Sequence, residues 1–338
     1  MIFAARTTPT TNSFASIANL VHMAPPPVPT LDEVDRNLIG ALIVDGRASY
    51  ASLAPKVGLS QAAVRSRVRR LLDDGVVTVS ARVDPRSVGF EIFSFVFITT
   101  NGPTRNVADL LAEIDEAVFV VCLGGRFSAF VEIRCRDYRH LLNVLDRIRS
   151  TEGVVDAESL SAIEYLKAGA SGIAAEVFGQ PVERKMAQPA PGDRPLDNTD
   201  IRIISALVAD GRATFADLAP TVGLSQAGVR ARVQRLLEDQ TVVIHATAGA
   251  RVLGLDSFSA LLISVRGKAQ PIAEELCAMP EFTIVAATSG GYGLVGEVWC
   301  RDRDHLLDIL DTVRDIDGVA DVETAVYLDI VKEQFRLE

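Results

Sequence analysis

From residue 33 the apolar positions follow a helical period. Val34, Leu38, Ile39 and Leu42 recur at i, i+4, i+5 and i+8, the inner stripe of an amphipathic helix. Thr30 and Glu33 have the spacing of a capping box at its start. The stretch "DGRAS" breaks the stripe, and Ser49 can cap a short second helix carrying Leu53, Ala54 and Val57. Pro55 falls inside that helix, where the missing N–H predicts a kink or a short element. Gly58 and Leu59 form a turn, and Ser60 can cap a third helix. Val64, Val68, Leu71 and Leu72 of this helix face inward, while Gln61, Ala62, Arg65, Ser66 and Arg69 face outward. Small or flexible residues at a helix start, followed by arginines, suit a helix lying in the major groove of double-stranded DNA.

After residue 84 the pattern changes. "IFSFVFITT" reads as a strand, "TRNVADLLAEID" as an amphipathic helix, and "AVFVVCLGG" and "FSAFVEIRC" as two strands joined by a glycine turn. "DYRHLLNVLDRIRS" is a second helix, with Leu141, Leu142, Leu145 and Ile148 expected inward, and "VVDAESLSAIEYL" is a last strand. The order βαββαβ predicts a ferredoxin-like sandwich with both helices on one sheet face. The other face needs cover.

The whole pattern then recurs. Asp35–Gly75 aligns without gaps on Asp200–Gln240 at an offset of 165, with 26 of 41 positions identical. The second copy repeats the caps and turn (Thr214 with Asp217, Gly223, Leu224, Ser225), repeats the proline (Pro220), and offers Gln226, Ala227, Arg230 and Arg232 outward. The two third helices differ at Ala63/Gly228, Ser66/Ala231 and Arg69/Gln234. The expected fold class is therefore α+β: two winged helix-turn-helix domains (31–83 and 196–248), each followed by a βαββαβ sandwich (84–168 and 249–338). A second sandwich within the chain is the natural cover for the first, which predicts an intrachain pseudo-dimer with further homo-oligomerisation open to it.

Composition changes the picture in two places. The chain has 338 residues and a net charge of −10, which taken whole argues against a nucleic-acid partner. The charge is unevenly spread. Residues 31–83 carry net +2 and 196–250 net −1, whereas 84–168 and 251–338 carry −4 and −8. The helical segments are thus mildly charged, with arginines gathered on one helix. Residues 1–30 and 169–195 are rich in small residues and proline and read as a disordered tail and a linker. The tail's apolar residues are too scattered for a signal peptide, and no apolar run spans a membrane, so a cytoplasmic protein with no membrane partner is expected. Cys122, Cys135, Cys277 and Cys300 form no CxxC pair, and no metal or cofactor is expected.

Helix-turn-helix, an extended hinge ("VVTVSARVDPRSVGF") and βαββαβ together resemble the Lrp/AsnC family of transcriptional regulators. "DGRASYASLAPKVGLSQAAVRSRVRRLLDDGVV" is similar to that family's winged helix-turn-helix, and the "GG", "CRD" and "EGV" landmarks to its sensing (RAM) domain. The resemblance implies a DNA-binding regulator that oligomerises through its sandwich domains and often senses an amino acid. It places candidate effector contacts at Gly124, Gly125 and Ser128, and at Gly290, Gly291 and Gly293. Many members carry an aspartate where this chain has Ser128 and Gly293, and neither residue can hold an ammonium group as a carboxylate does. Sirohaem decarboxylases resemble the chain in architecture and are the enzymatic alternative. They use His and Arg clusters, whereas His22, His140, His245 and His305 lie in no comparable run. No catalytic residue is assigned.

Overall fold

The computed structural model describes residues 30–169 and 195–333. The expected tail and linker fall outside the described residues, save positions 30, 169 and 195 at their edges.

Each unit opens with three helices. In the first, α1 (Glu33–Val44), α2 (Tyr50–Val57) and α3 (Gln61–Asp73) pack around Leu38, Ile39, Leu42, Leu53, Val64, Val68 and Leu71, with Leu72 partly buried beside them. The cap of α1 is Asp32 rather than Thr30. The Asp35 N–H donates to the Asp32 carboxylate at 2.8 Å, and the Asp32 N–H returns to Asp35 at 3.4 Å. Ser49 and Ser60 cap the next two helices. α2 runs through the exposed Pro55 and stops at Gly58, whose left-handed φ of 66° suits glycine.

Each third helix is followed by a strand that finds its partner in the other unit. β1 (Val77–Val83) pairs antiparallel with β6 (Val242–Ala248), and Ser80 stands opposite His245. Those two residues are equivalent in the repeat, so a pseudo-twofold axis passes between them. The exchange reaches the cores: Ala246, Ala248, Leu253 and Leu255 of the second unit complete the first helical core, and Ala81 completes the second.

The first sandwich contains β2 (Ile92–Thr100), α4 (Thr104–Ala112), β3 (Ala117–Gly124), β4 (Ala129–Cys135), α5 (Tyr138–Arg149) and β5 (Val154–Ala168). The second unit runs α6 (Asn198–Ala209), α7 (Phe215–Val222), α8 (Gln226–Glu238), β6, β7 (Ser257–Val265), α9 (Ala269–Ala278), β8 (Phe282–Thr288), β9 (Leu294–Cys300), α10 (Arg303–Asp315) and β10 (Val319–Glu333). The two sheets do more than face each other. β5 pairs with β2 through its first half and with β8 through its second; β10 likewise joins β7 to β3. The eight strands close into one barrel in the order β10-β3-β4-β2-β5-β8-β9-β7. Both units fill its interior, with Phe93, Phe95, Phe97 and Phe130 meeting Ala260, Leu262, Ala286 and Val295. The helices cover the outside.

One inward assignment is corrected. Leu142 is 55% exposed, and α5 buries Leu141, Val144, Leu145 and Ile148 instead. These four recur at i, i+3, i+4 and i+7, one narrow stripe, and Leu142 lies a quarter-turn off it. Its repeat equivalent, Leu307, is exposed in the same way.

Candidate nucleic-acid interface

The outward face of α3 is set by its buried stripe. Ser60, Gln61, Ala62, Arg65, Ser66 and Arg69 are all exposed, as are Ser225, Gln226, Ala227 and Arg230 on α8. Ser60 Oγ accepts from the Ala63 N–H at 3.3 Å, and Ser225 Oγ from the Gly228 N–H at 3.2 Å. Each cap serine is thus bound to its own helix start, which fixes the direction from which the glutamine and arginine project. Arg65, Arg69 and Arg230 have no carboxylate partner among the described residues.

Arg232 belongs elsewhere. It sits nearly half a turn from that face and pairs with Asp197 at 2.7 Å and Asp200 at 2.8 Å, the capping-box residues of α6. Its equivalent Arg67 pairs with Asp32 and Asp35 at 2.6 and 2.9 Å, while Arg70 and Arg235 reach the same buried aspartates, Asp35 and Asp200. The Asp35 N–H and the neighbouring guanidinium of Arg67 hold the Asp32 carboxyl below its ordinary range, and Arg232 does the same for Asp197. These arginines fasten the third helix to the first. The sequence signal was present: an aspartate three residues into the first helix, with arginines 32 and 35 positions later in both copies.

A second arginine pair, missed in the sequence although "DGRA" occurs twice, holds the two helical heads together. Arg47 Nη2 donates to the Ala213 carbonyl at 2.9 Å, and Arg212 Nη1 donates to the Gly46 carbonyl at 2.6 Å. Arg47 lies over the ring of Phe215 and Arg212 over that of Tyr50, at 5.6 and 5.3 Å.

The glycine turns lie at the barrel, away from these helices in the chain. Gly125 and Gly290 have φ of 134° and 118°, a region that side chains rarely enter. Each leans on the other unit: a Cβ on Gly125 would stand 3.1 Å from the Thr324 carbonyl, and one on Gly290 3.0 Å from Leu160. Gly124 stands against Leu328, Gly291 has open space, and Gly293 donates to the Ile263 carbonyl. Ser128 is occupied by structure, its N–H donating to the Ile98 carbonyl at 2.8 Å and its Oγ accepting from the Thr100 N–H at 3.2 Å. Between the two turns Arg126 donates to Tyr292 Oη at 3.0 Å and pairs with Glu323 and Glu158 at 3.2 and 3.4 Å. The Tyr292 hydroxyl donates to Glu323. Burial and that bond push its phenol up to about 12. The sequence hint of this cluster was Arg126 standing opposite Gly291 in the repeat.

Paired helix-turn-helix heads on a shared barrel define the class: a two-headed helix-turn-helix protein built on a closed eight-stranded β core. Residues 31–72 and 196–237 match the AsnC-type helix-turn-helix domain, and 94–171 and 261–337 match the Lrp/AsnC ligand binding domain. The chain belongs to the Lrp/AsnC family, in a tandem-duplicated form. It is 40% identical over 127 residues to the HTH-type transcriptional regulator LrpA of Mycobacterium tuberculosis, a match using 37% of this chain and 85% of that protein. It is 30% identical over 139 residues to the HTH-type transcriptional regulator FL11 of Pyrococcus horikoshii, covering 40% of this chain and 92% of that one. Among solved structures, the siroheme decarboxylase NirDL superposes with a TM-score of 0.63, covering 90% of this chain and 93% of its own. At 13% identity that likeness is one of fold alone.

Proposed function

We propose that the chain is a sequence-specific, DNA-binding transcriptional regulator whose two reading helices, α3 and α8, belong to one intrachain pseudo-dimer. The observation that carries this is the selective exposure of arginines. Arg65, Arg69 and Arg230 stand on the outward faces while their helix neighbours are locked to capping aspartates. A merely structural basic helix would have no reason to sort its arginines this way twice. Ser60, Gln61, Ala62, Arg65, Ser66 and Arg69, with Ser225, Gln226, Ala227 and Arg230, are the proposed contacts to double-stranded DNA. Arg232 supports its helix from behind. Phosphate contacts release counterions, so retention should fall steeply with salt. Gel retardation of promoter fragments tests the reading. Wild type should shift at low salt, and Arg65→Ala should cost about 1–3 kcal/mol if it reads a base edge. No shift of any fragment at low salt would remove the proposal.

Action in the cytoplasm and absence of catalysis belong to the same reading; no helix among the described residues is long and apolar enough to cross a membrane. The fold likeness to a siroheme decarboxylase keeps one enzymatic reading open to test. His140 and His305 are held by Glu116 and Glu281 beside helix caps at 2.8 and 3.3 Å, which favours a structural role for both. Tetrapyrrole absorbance retained by the purified protein would favour the enzyme instead. At the glycine turns, with Ser128 bonded to backbone and no carboxylate at Gly293, common amino acids are expected to bind weakly or not at all. Micromolar binding of one by calorimetry would contradict this.

A further inference from the structure

The two heads are held symmetrically but armed differently. The β1–β6 ribbon is centred on the equivalent residues Ser80 and His245, and Arg47 and Arg212 make reciprocal bonds to the opposite head. A difference in reading between the heads must therefore come from side chains. At the starts of α3 and α8 the exposed residues are the same: Ser60/Ser225, Gln61/Gln226, Ala62/Ala227 and Arg65/Arg230. One turn further along they diverge. Ser66 is matched by Ala231 and Arg69 by Gln234, and all four are exposed.

Nothing else on the helix makes up the missing charge. Arg235 and Arg232 are bound to Asp200, as Arg70 and Arg67 are bound to Asp35. The outward face of α3 thus presents two free guanidinium groups and that of α8 one. Lys56, exposed at the end of α2, is also matched by a neutral residue, Thr221. There the second head has a substitute, since Arg202 donates to the Thr221 carbonyl. The comparison therefore rests on Arg69 and Gln234.

Resting on the DNA-binding reading above, we infer that the chain recognises an imperfect palindrome: one shared core read by both heads, flanked by positions read differently on the two sides. Gln61/Gln226 and Arg65/Arg230 set the shared core. Arg69 suits guanine or a phosphate and Ser66 can donate or accept a hydrogen bond. Gln234 suits adenine, and Ala231 offers only a methyl contact. The site has a direction, and α3 anchors its end more tightly.

The test is selection of bound duplexes from a random pool by the full chain, followed by salt titration of the variants R69Q and Q234R. All the altered side chains are exposed, so folding is not at stake. An asymmetric selected site is expected. R69Q should lower the salt slope by roughly 0.9, about a three-fold smaller loss between 50 and 200 mM salt, and Q234R should raise it by a similar amount. A fourfold variant, S66A/R69Q/A231S/Q234R, should prefer the same site in reverse orientation when placed in an asymmetric footprint. A strictly palindromic site, with R69Q and Q234R leaving the salt slope unchanged, would overturn the inference while leaving DNA binding intact. Failure of wild type to select any duplex would overturn both.

Discussion

Capping residues show how far single positions can be read. Ser49, Ser60, Thr214 and Ser225 all cap as their spacing predicts. Thr30 does not: Asp32 caps the helix with Asp35, which also meets Arg67 and Arg70. That contact joins residues more than thirty positions apart and leaves no periodic trace. Gly228 has a local reading with a consequence. It sits in the first turn of α8, where glycine is about 0.5–1 kcal/mol worse than alanine. An added Cβ would approach nothing closer than Ser225 Oγ at 3.5 Å, so Gly228→Ala should raise stability by that amount in urea unfolding. Glu297 is legible only in three dimensions. It is partly buried beside the barrel interior and accepts from Thr283 Oγ1, the Trp299 indole N–H at 2.9 Å and Tyr327 Oη at 3.2 Å. Burial still raises its carboxyl above the ordinary value. The folded chain therefore binds this proton more tightly than the unfolded chain does. Stability is lost as pH rises from the unfolded value through the folded one. Glu297→Gln should raise the melting temperature at pH 7 and leave it nearly unchanged near pH 3, well below the ordinary carboxyl value of the unfolded chain; an equal shift at both would point to packing instead.

At the scale of elements, each unit's helix and strand order follows from periodicity, because those patterns are local. The partners of β1, β5 and β10 are not local. Their pairing lies across the repeat, and the 15-residue length of β5 and β10 acquires meaning only when each strand is seen serving two sheets. Leu142 was misplaced for a related reason: a run of leucines lets several helical phases look plausible until the sheet selects one. The ribbon itself depends on close approach. A Cβ on Gly211 would stand 2.9 Å from the Ser80 amide nitrogen, whose backbone cannot yield as a side chain might, and the Gly211 N–H donates to the Val79 carbonyl at 2.9 Å. Gly211→Ala should cost about 1–3 kcal/mol by overpacking. It should also loosen one head against the other, seen as faster hydrogen exchange at Val79–Ala81. Unchanged exchange there would mean that the heads are held mainly by Arg47 and Arg212.

Across the whole molecule, duplication was plain in the sequence, whereas closure of the two sheets into one barrel was not. Alternation along a strand tells which face is apolar, not whether its edge is free. The edges here are joined within one chain, and Phe95, Phe97 and Phe130 share an interior with Leu262 and Val295. Closure changes how the protein answers dilution. Two separate chains that built such a core would part as they thinned out, and their melting temperature would track concentration. For this chain the partner sandwich travels with its mate at a local concentration fixed by the covalent tether. Its melting midpoint should hold constant over a hundredfold dilution; a midpoint falling with dilution would show that barrels form between chains. In a cell, paired heads would then be available from the first copy synthesised, and site occupancy would rise with the first power of copy number rather than its square.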